Sequence, residues 1–77
     1  MSHTPHELAE EFPDKAEAIH RLKTENAHFA RLAREYHDVN RQIHRVESGV
    51  EPVSDVFATE LRKTRMALKD EIARLLA

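Results

Sequence analysis

A bulky apolar residue recurs at every seventh position through the middle of this chain: Leu22, Phe29, Tyr36 and Ile43. A second row, Leu32, Val39 and Val46, interleaves with the first. A helix brings residues at this spacing onto one face. Further on, Phe57, Leu61, Leu68, Ile72 and Leu75 form another such stripe, and Ser48-Gly49 stands between the two. Two amphipathic helices joined by a short polar loop make a helical hairpin. The spacing therefore predicts an all-α fold, an antiparallel helical hairpin with coiled-coil-like packing, as a single domain over residues 1–77.

Composition supports this and limits what else the chain can be. One glycine and three prolines are too few for the many turns of an all-β fold. Charged residues make up 34% and aromatics 5%, the balance of long solvated helices. A domain of this size buries only about 60% of its unfolded surface and often needs support. With no cysteine, disulfides and thiolate sites are excluded, which leaves oligomerisation as the expected support. No apolar run approaches the roughly 20 residues of a membrane span. The stretch from Met1 to Phe12 is polar and acidic, unlike a secretory signal, so a cytoplasmic protein is expected.

The element boundaries follow from capping chemistry. Thr4-Pro5-His6-Glu7 has the form of a helix start, with Thr4 as cap and Pro5 at the first helical position, and predicts a short helix over 4–12. Phe12-Pro13 interrupts it. A long helix over 13–48 is expected next, roughly 50 Å at 1.5 Å per residue. Gly49 is its left-handed cap, 49–54 is the loop, and Ser54 or Asp55 caps a second helix over 55–77, roughly 30 Å long. The lengths do not match: the second helix reaches back only to about Asn26 or Phe29. Ile19 and Leu22 lie beyond it and need a cover. The short helix folding back through Leu8 and Phe12, a second copy, or another protein would each supply one. Leu8, Phe12, Ile19 and Leu22 are accordingly the expected partner surface.

Charge is strongly segregated within a net −2. Acids collect in residues 1–18 and 47–60, bases in 19–46 and 61–77. Arg31, Arg34, Arg41 and Arg45 on the long helix, with Arg62 and Lys63 on the second, are the candidate anion surface. Interspersed acids such as Glu35, Asp38, Glu60 and Asp70 also suit plain helix solvation, with pairs such as Glu60–Lys63 and Asp70–Arg74. No aromatic accompanies the bases, so nucleic-acid binding by base stacking is unsupported.

Chemistry is sparsely represented. Six histidines include His37 and His44, seven apart beside the apolar stripe, and Glu25–His28, three apart. The Glu25–His28 spacing also occurs in bundle-type metal sites, but those need several inward carboxylates, and the stripe here is apolar. No metal or cofactor is expected. Ser48 and Ser54 have turn and capping roles, and one glycine excludes a Gly-rich phosphate loop, so no enzyme activity and no small-molecule substrate are expected. Asn26 and Asn40 border the stripe fourteen apart, where asparagine either sets coiled-coil register or faces water. Tyr36 lies in the stripe and should be buried, its hydroxyl reaching an edge or a partner.

Asn26-Ala27-His28-Phe29-Ala30-Arg31-Leu32, Glu35-Tyr36-His37-Asp38-Val39-Asn40, Ile43-His44-Arg45-Val46-Glu47, Ser54-Asp55, and Leu61 through Ile72 together resemble the YdcH-like family of small bacterial proteins. Met66 stands where that pattern has leucine, a volume-conserving change. The resemblance implies a helical hairpin of uncharacterised function in bacterial cytoplasm and supplies no catalytic or binding residues. The expected function is a non-enzymatic interaction module that self-associates or docks on a protein partner. The alternative is an RNA- or anion-binding protein that uses the basic faces of both helices.

Overall fold

A computed structural model describes residues 5–49 and 52–77. Among these residues the fold is all-helical: α1 (Leu8–Glu11), a 3-10 turn (Pro13–Lys15), α2 (Ala16–Glu25), α3 (Ala27–Glu47) and α4 (Asp55–Leu76). The expected hairpin is α3 packed on α4. Gly49 takes the left-handed conformation, φ 80°, and its N–H bonds the Val46 carbonyl, closing α3 as glycine beyond a helix end does. Ser54 caps α4, its Oγ accepting from the Phe57 N–H at 3.1 Å. Val50 and Glu51, in the expected loop, lie outside the described residues.

The expected unbroken helix over 13–48 is interrupted at Asn26, whose backbone is extended at φ −127°, ψ 107°. Its Oδ1 accepts from the Phe29 N–H at 3.1 Å, so the residue that ends α2 also caps α3. Two local features favour a break here. Asparagine is a weak residue inside a helix and a strong one at its cap. Thr24 Oγ1 also bonds back to the His20 carbonyl, a contact that tends to bend helices. Burial supplies the larger gain. α2 turns back against α3, and Ile19 becomes 6% exposed instead of overhanging the hairpin. The longest dimension is 37 Å, shorter than the expected rod.

The N-terminal helix also starts later than Pro5. Pro5 and His6 form a turn, Glu7 is the N-cap, and α1 is a single turn; the expected cap Thr4 lies outside the described residues. His6 has φ 64°, a left-handed conformation more common for histidine than for most residues. The cause is tertiary: both carbonyls of the turn are captured by side chains of α3, described below.

One core joins all four helices. Leu8, Ile19, Phe29, Leu32, Ala33, Tyr36, Ile72 and Leu76 form it, with Phe12, Ala18, Leu22, Leu68 and Leu75 packed around. Phe29 and Ile72 are fully buried. Because Phe29 shares this cluster with Ile72 and Leu76, α4 does reach back to the start of α3.

Candidate functional site

The four residues expected to form a partner surface pack into or against the core. Leu8 and Ile19 are buried, and Phe12 and Leu22 are partly buried on the same core, so much of this apolar patch is covered within the chain. Of the three expected covers, the structure contains the first, the N-terminal segment folded back on the hairpin. The physical reason is the break at Asn26, which lets residues 5–25 turn over the face that a straight helix would leave bare.

Polar side chains hold this segment down. Tyr36 Oη donates to the His6 carbonyl at 2.6 Å, and Asn40 Nδ2 donates to the Pro5 carbonyl at 2.8 Å. Asn40 Oδ1 accepts from Arg65 Nη1 at 3.0 Å, so one side chain, 1% exposed, ties the N-terminal turn to α3 and α4. Neither expected role for Asn40, register or solvation, describes this bridge. Lys69 donates to Glu11 across the α4–α1 junction, and His37 Nδ1 lies 3.3 Å from Glu7 Oε2. The hydrogen bond from Lys69, with a smaller contribution from His6, holds the Glu11 carboxyl below its usual range against opposing burial. Burial pushes the Tyr36 phenol up to about 12, and the nearby acids Glu11 and Glu7 add to this while Arg65 opposes it. Every buried side-chain N or O atom among the described residues has a hydrogen-bond partner.

Between α1, α2 and α3 lies an open hollow of about 580 Å³ with an apolar floor that includes Leu8, Ala9, Ile19, Ala30 and Ala33. Lys23, Arg34, His37, Glu7 and Asp38 ring it. A shallower depression on α3 is lined by Asp38, Arg41, Gln42 and Arg45.

The six cations expected to share one anion surface are divided. Arg34, Arg41 and Arg45 follow one another at helical spacing on a flank of α3, with Arg31 beside them. α4 meets α3 elsewhere, through Asn40–Arg65, Glu47–Arg62 and His28–Glu71. Arg62 Nη2 lies 3.3 Å from Glu47 Oε2, and Lys63 Nζ lies 3.8 Å from Glu60 Oε1. Arg62 and Lys63 thus stand beside acids on the α4 side, and the arginines of α3 form a separate row broken by Asp38.

Three of the six histidines each lie beside a single carboxylate: His6 by Glu11, His28 by Glu71, His37 by Glu7. Glu25 and His28 fall on either side of the Asn26 break, so their spacing no longer places them on one helix. Among the described residues no three His, Cys, Asp or Glu side chains come together as metal ligands would. No helix there is long and apolar enough to cross a membrane.

One exposed face of α4 stands outside the apolar stripe that the sequence displays. Val56, Thr59, Lys63, Met66 and Asp70 follow one another at helical spacing on the outward side of α4. Val56 is 72% exposed and Met66 59%, and Phe57, expected within the core stripe, is 44% exposed at the start of the helix. A stripe of apolar residues was visible on α4, but its helical phase puts Val56 and Met66 opposite Leu61 and Ile72.

A family model described as "Protein of unknown function (DUF465)" matches residues 29–76, which span the α3–α4 hairpin and leave out α1 and α2. The YdcH-like group belongs within this family, in agreement with the resemblance drawn from the residues. No curated protein and no solved structure matches the chain.

Proposed function

The chain belongs to the DUF465 family of proteins of unknown function, and we propose that it is a non-enzymatic helical interaction module that self-associates or docks on a protein partner. The observation that carries this reading is the outward face of α4, where Val56 and Met66 stand exposed while the other large apolar side chains among the described residues are mostly covered. Isolated exposed apolar residues are ordinary, but here two share one helix face, with Phe57 half-exposed beside Val56. The polar side chains at the centre of the molecule, Tyr36 and Asn40, are engaged with main-chain carbonyls, which suits a structural role for them. A cytoplasmic setting is part of the proposal, since a cysteine-free chain suits a reducing compartment.

A photo-crosslinking residue at Met66, with one at Glu17 as control, tests the docking face in native cells. Crosslinks at Met66 that vanish in the Val56→Asp variant support it. Equal labelling at both positions sinks it.

A second reading, binding of RNA or another polyanion, is favoured by the arginine row on α3. It predicts an affinity that falls steeply with salt and a loss of binding when Arg34 and Arg41 are reversed in charge. Unchanged retention of nucleic acid by that variant would remove this reading.

A further inference from the structure

We propose that residues 5–25 are an exchangeable arm that opens at Asn26 and seats on the α3–α4 hairpin of a second copy, so that two chains form a swapped dimer. This rests on the reading of the protein as an interaction module and names a partner for it: the chain itself.

The hinge is one residue long. α2 ends at Glu25 and α3 begins at Ala27, so only the backbone of Asn26 separates the folded-back arm from one continuous helix over residues 16–47. The residues around it, Glu25 and Ala27, are good helix formers. The apolar pattern does not register the break at all. Leu22, Phe29, Tyr36 and Ile43 keep their spacing of seven straight through it. A pattern without a phase change is that of an uninterrupted helix.

Straightening at Asn26 has a defined consequence. The joined helix would be about 48 Å long at 1.5 Å per residue, longer than the 37 Å molecule. It would carry Ile19 and Leu22 past the end of their own hairpin, because α4 stops at Leu76 beside Phe29. It would also strip Leu8 and Phe12 from the core. A lone chain in that state leaves both the arm and the hairpin face bare. Two such chains cover each other, since each arm meets on its partner the same apolar surface and the same donors, Tyr36, Asn40 and Lys69, that it meets at home. Swapping exchanges contacts between copies without changing them, so the balance between monomer and dimer falls to the hinge and to concentration. The family match adds that the hairpin is the shared unit, because it begins at Phe29 and leaves the arm outside.

Two measurements test this. Light scattering after size exclusion, from micromolar to millimolar protein, compares the wild type with Asn26→Ala and Asn26→Gly. Alanine removes the cap and favours helix at both hinges of a dimer, so its dimer constant should tighten about tenfold or more. Glycine opposes helix and should keep the chain monomeric. The second measurement uses the absence of cysteine. Glu11→Cys and Lys69→Cys copies are mixed, co-refolded and treated with a short bismaleimide. Swapping joins one copy of each into a covalent pair, because Glu11 and Lys69 are in contact across the arm–hairpin junction. This assay needs no change at Asn26, so it decides even where a hinge variant fails to fold. Dimers without that crosslink would overturn the arm and leave the interaction module standing. A folded Asn26→Ala chain that stays monomeric at every concentration would also overturn it, with the α4 docking face judged separately by its own crosslinks.

Discussion

The hydroxyl of Tyr36 donates a 2.6 Å hydrogen bond to the main-chain carbonyl of His6, across 30 positions of sequence. The bond lies where the N-terminal turn meets α3, and Tyr36 is 1% exposed. Tyr36→Phe keeps the ring in the core and leaves the carbonyl without this donor. Removing one partner of a buried hydrogen bond costs about 1–2 kcal/mol. Urea unfolding followed by circular dichroism should show that loss with the helical signal of the folded state nearly unchanged. A variant as stable as the wild type would mean that the turn is not held by this bond.

The same phenol makes stability depend on alkaline pH. Its folded-state value is raised from 10.0 to about 12, chiefly by burial. A group with a raised value contributes fully below its unfolded value, and that contribution is lost as pH climbs through the folded one. The wild type should therefore lose stability across the window from 10.0 to about 12. Comparison with Tyr36→Phe isolates the phenol from other effects of alkali. If the two stability curves run parallel there, Tyr36 does not titrate in the way its burial requires.

Acid acts on the opposite side of the same arm. Lys69 holds the Glu11 carboxyl below its usual 4.5. A lowered value contributes stability above the unfolded value, and this is lost as pH falls through the lower, folded one. Glu11→Gln should thus be less stable than the wild type near neutrality, and the gap should close below about 4.5. Amide exchange in α1 is the sensitive reporter, since Glu11 ties that helix to α4.

These tests concentrate on what the sequence showed least. Periodicity made α3 and α4 legible because each buries a continuous apolar face, and burial at helical spacing leaves a trace in the chain. The caps at Ser54 and Gly49 were legible for the same local reason, one supplying a side-chain acceptor and the other a left-handed backbone. Asn26 was ambiguous because the stripe runs through it in phase. The gain that breaks the helix is the burial of Ile19, a tertiary effect with no local signature. Asn40 and Tyr36 carried no visible cue to their acceptors, because main-chain carbonyls look alike in every sequence. The left-handed turn at His6 follows from those acceptors and was hidden with them.

The core offers a sharper magnitude. Ile72 has no exposed surface and sits in the cluster where all four helices meet. Ile72→Ala deletes buried carbon and leaves a cavity, at a cost of about 2–5 kcal/mol. Domains of this size carry little reserve stability. The variant should therefore be largely unfolded near 37 °C by circular dichroism. Met66→Ala, on the exposed side of the same helix, should melt with the wild type. Equal melting of both variants would mean that α4 is not seated by this face.

Gly49 separates backbone conformation from packing. Its φ is 80°, and a Cβ added there would meet nothing within 4 Å. Gly49→Ala therefore costs only what a left-handed backbone costs an L-residue, about 1–2 kcal/mol. Gly49→Asn should recover part of that loss, because asparagine tolerates this region better than alanine. Thermal melts of the three chains should fall in the order glycine, asparagine, alanine. An alanine chain as stable as the glycine one would show that α3 can close without a left-handed residue at its end.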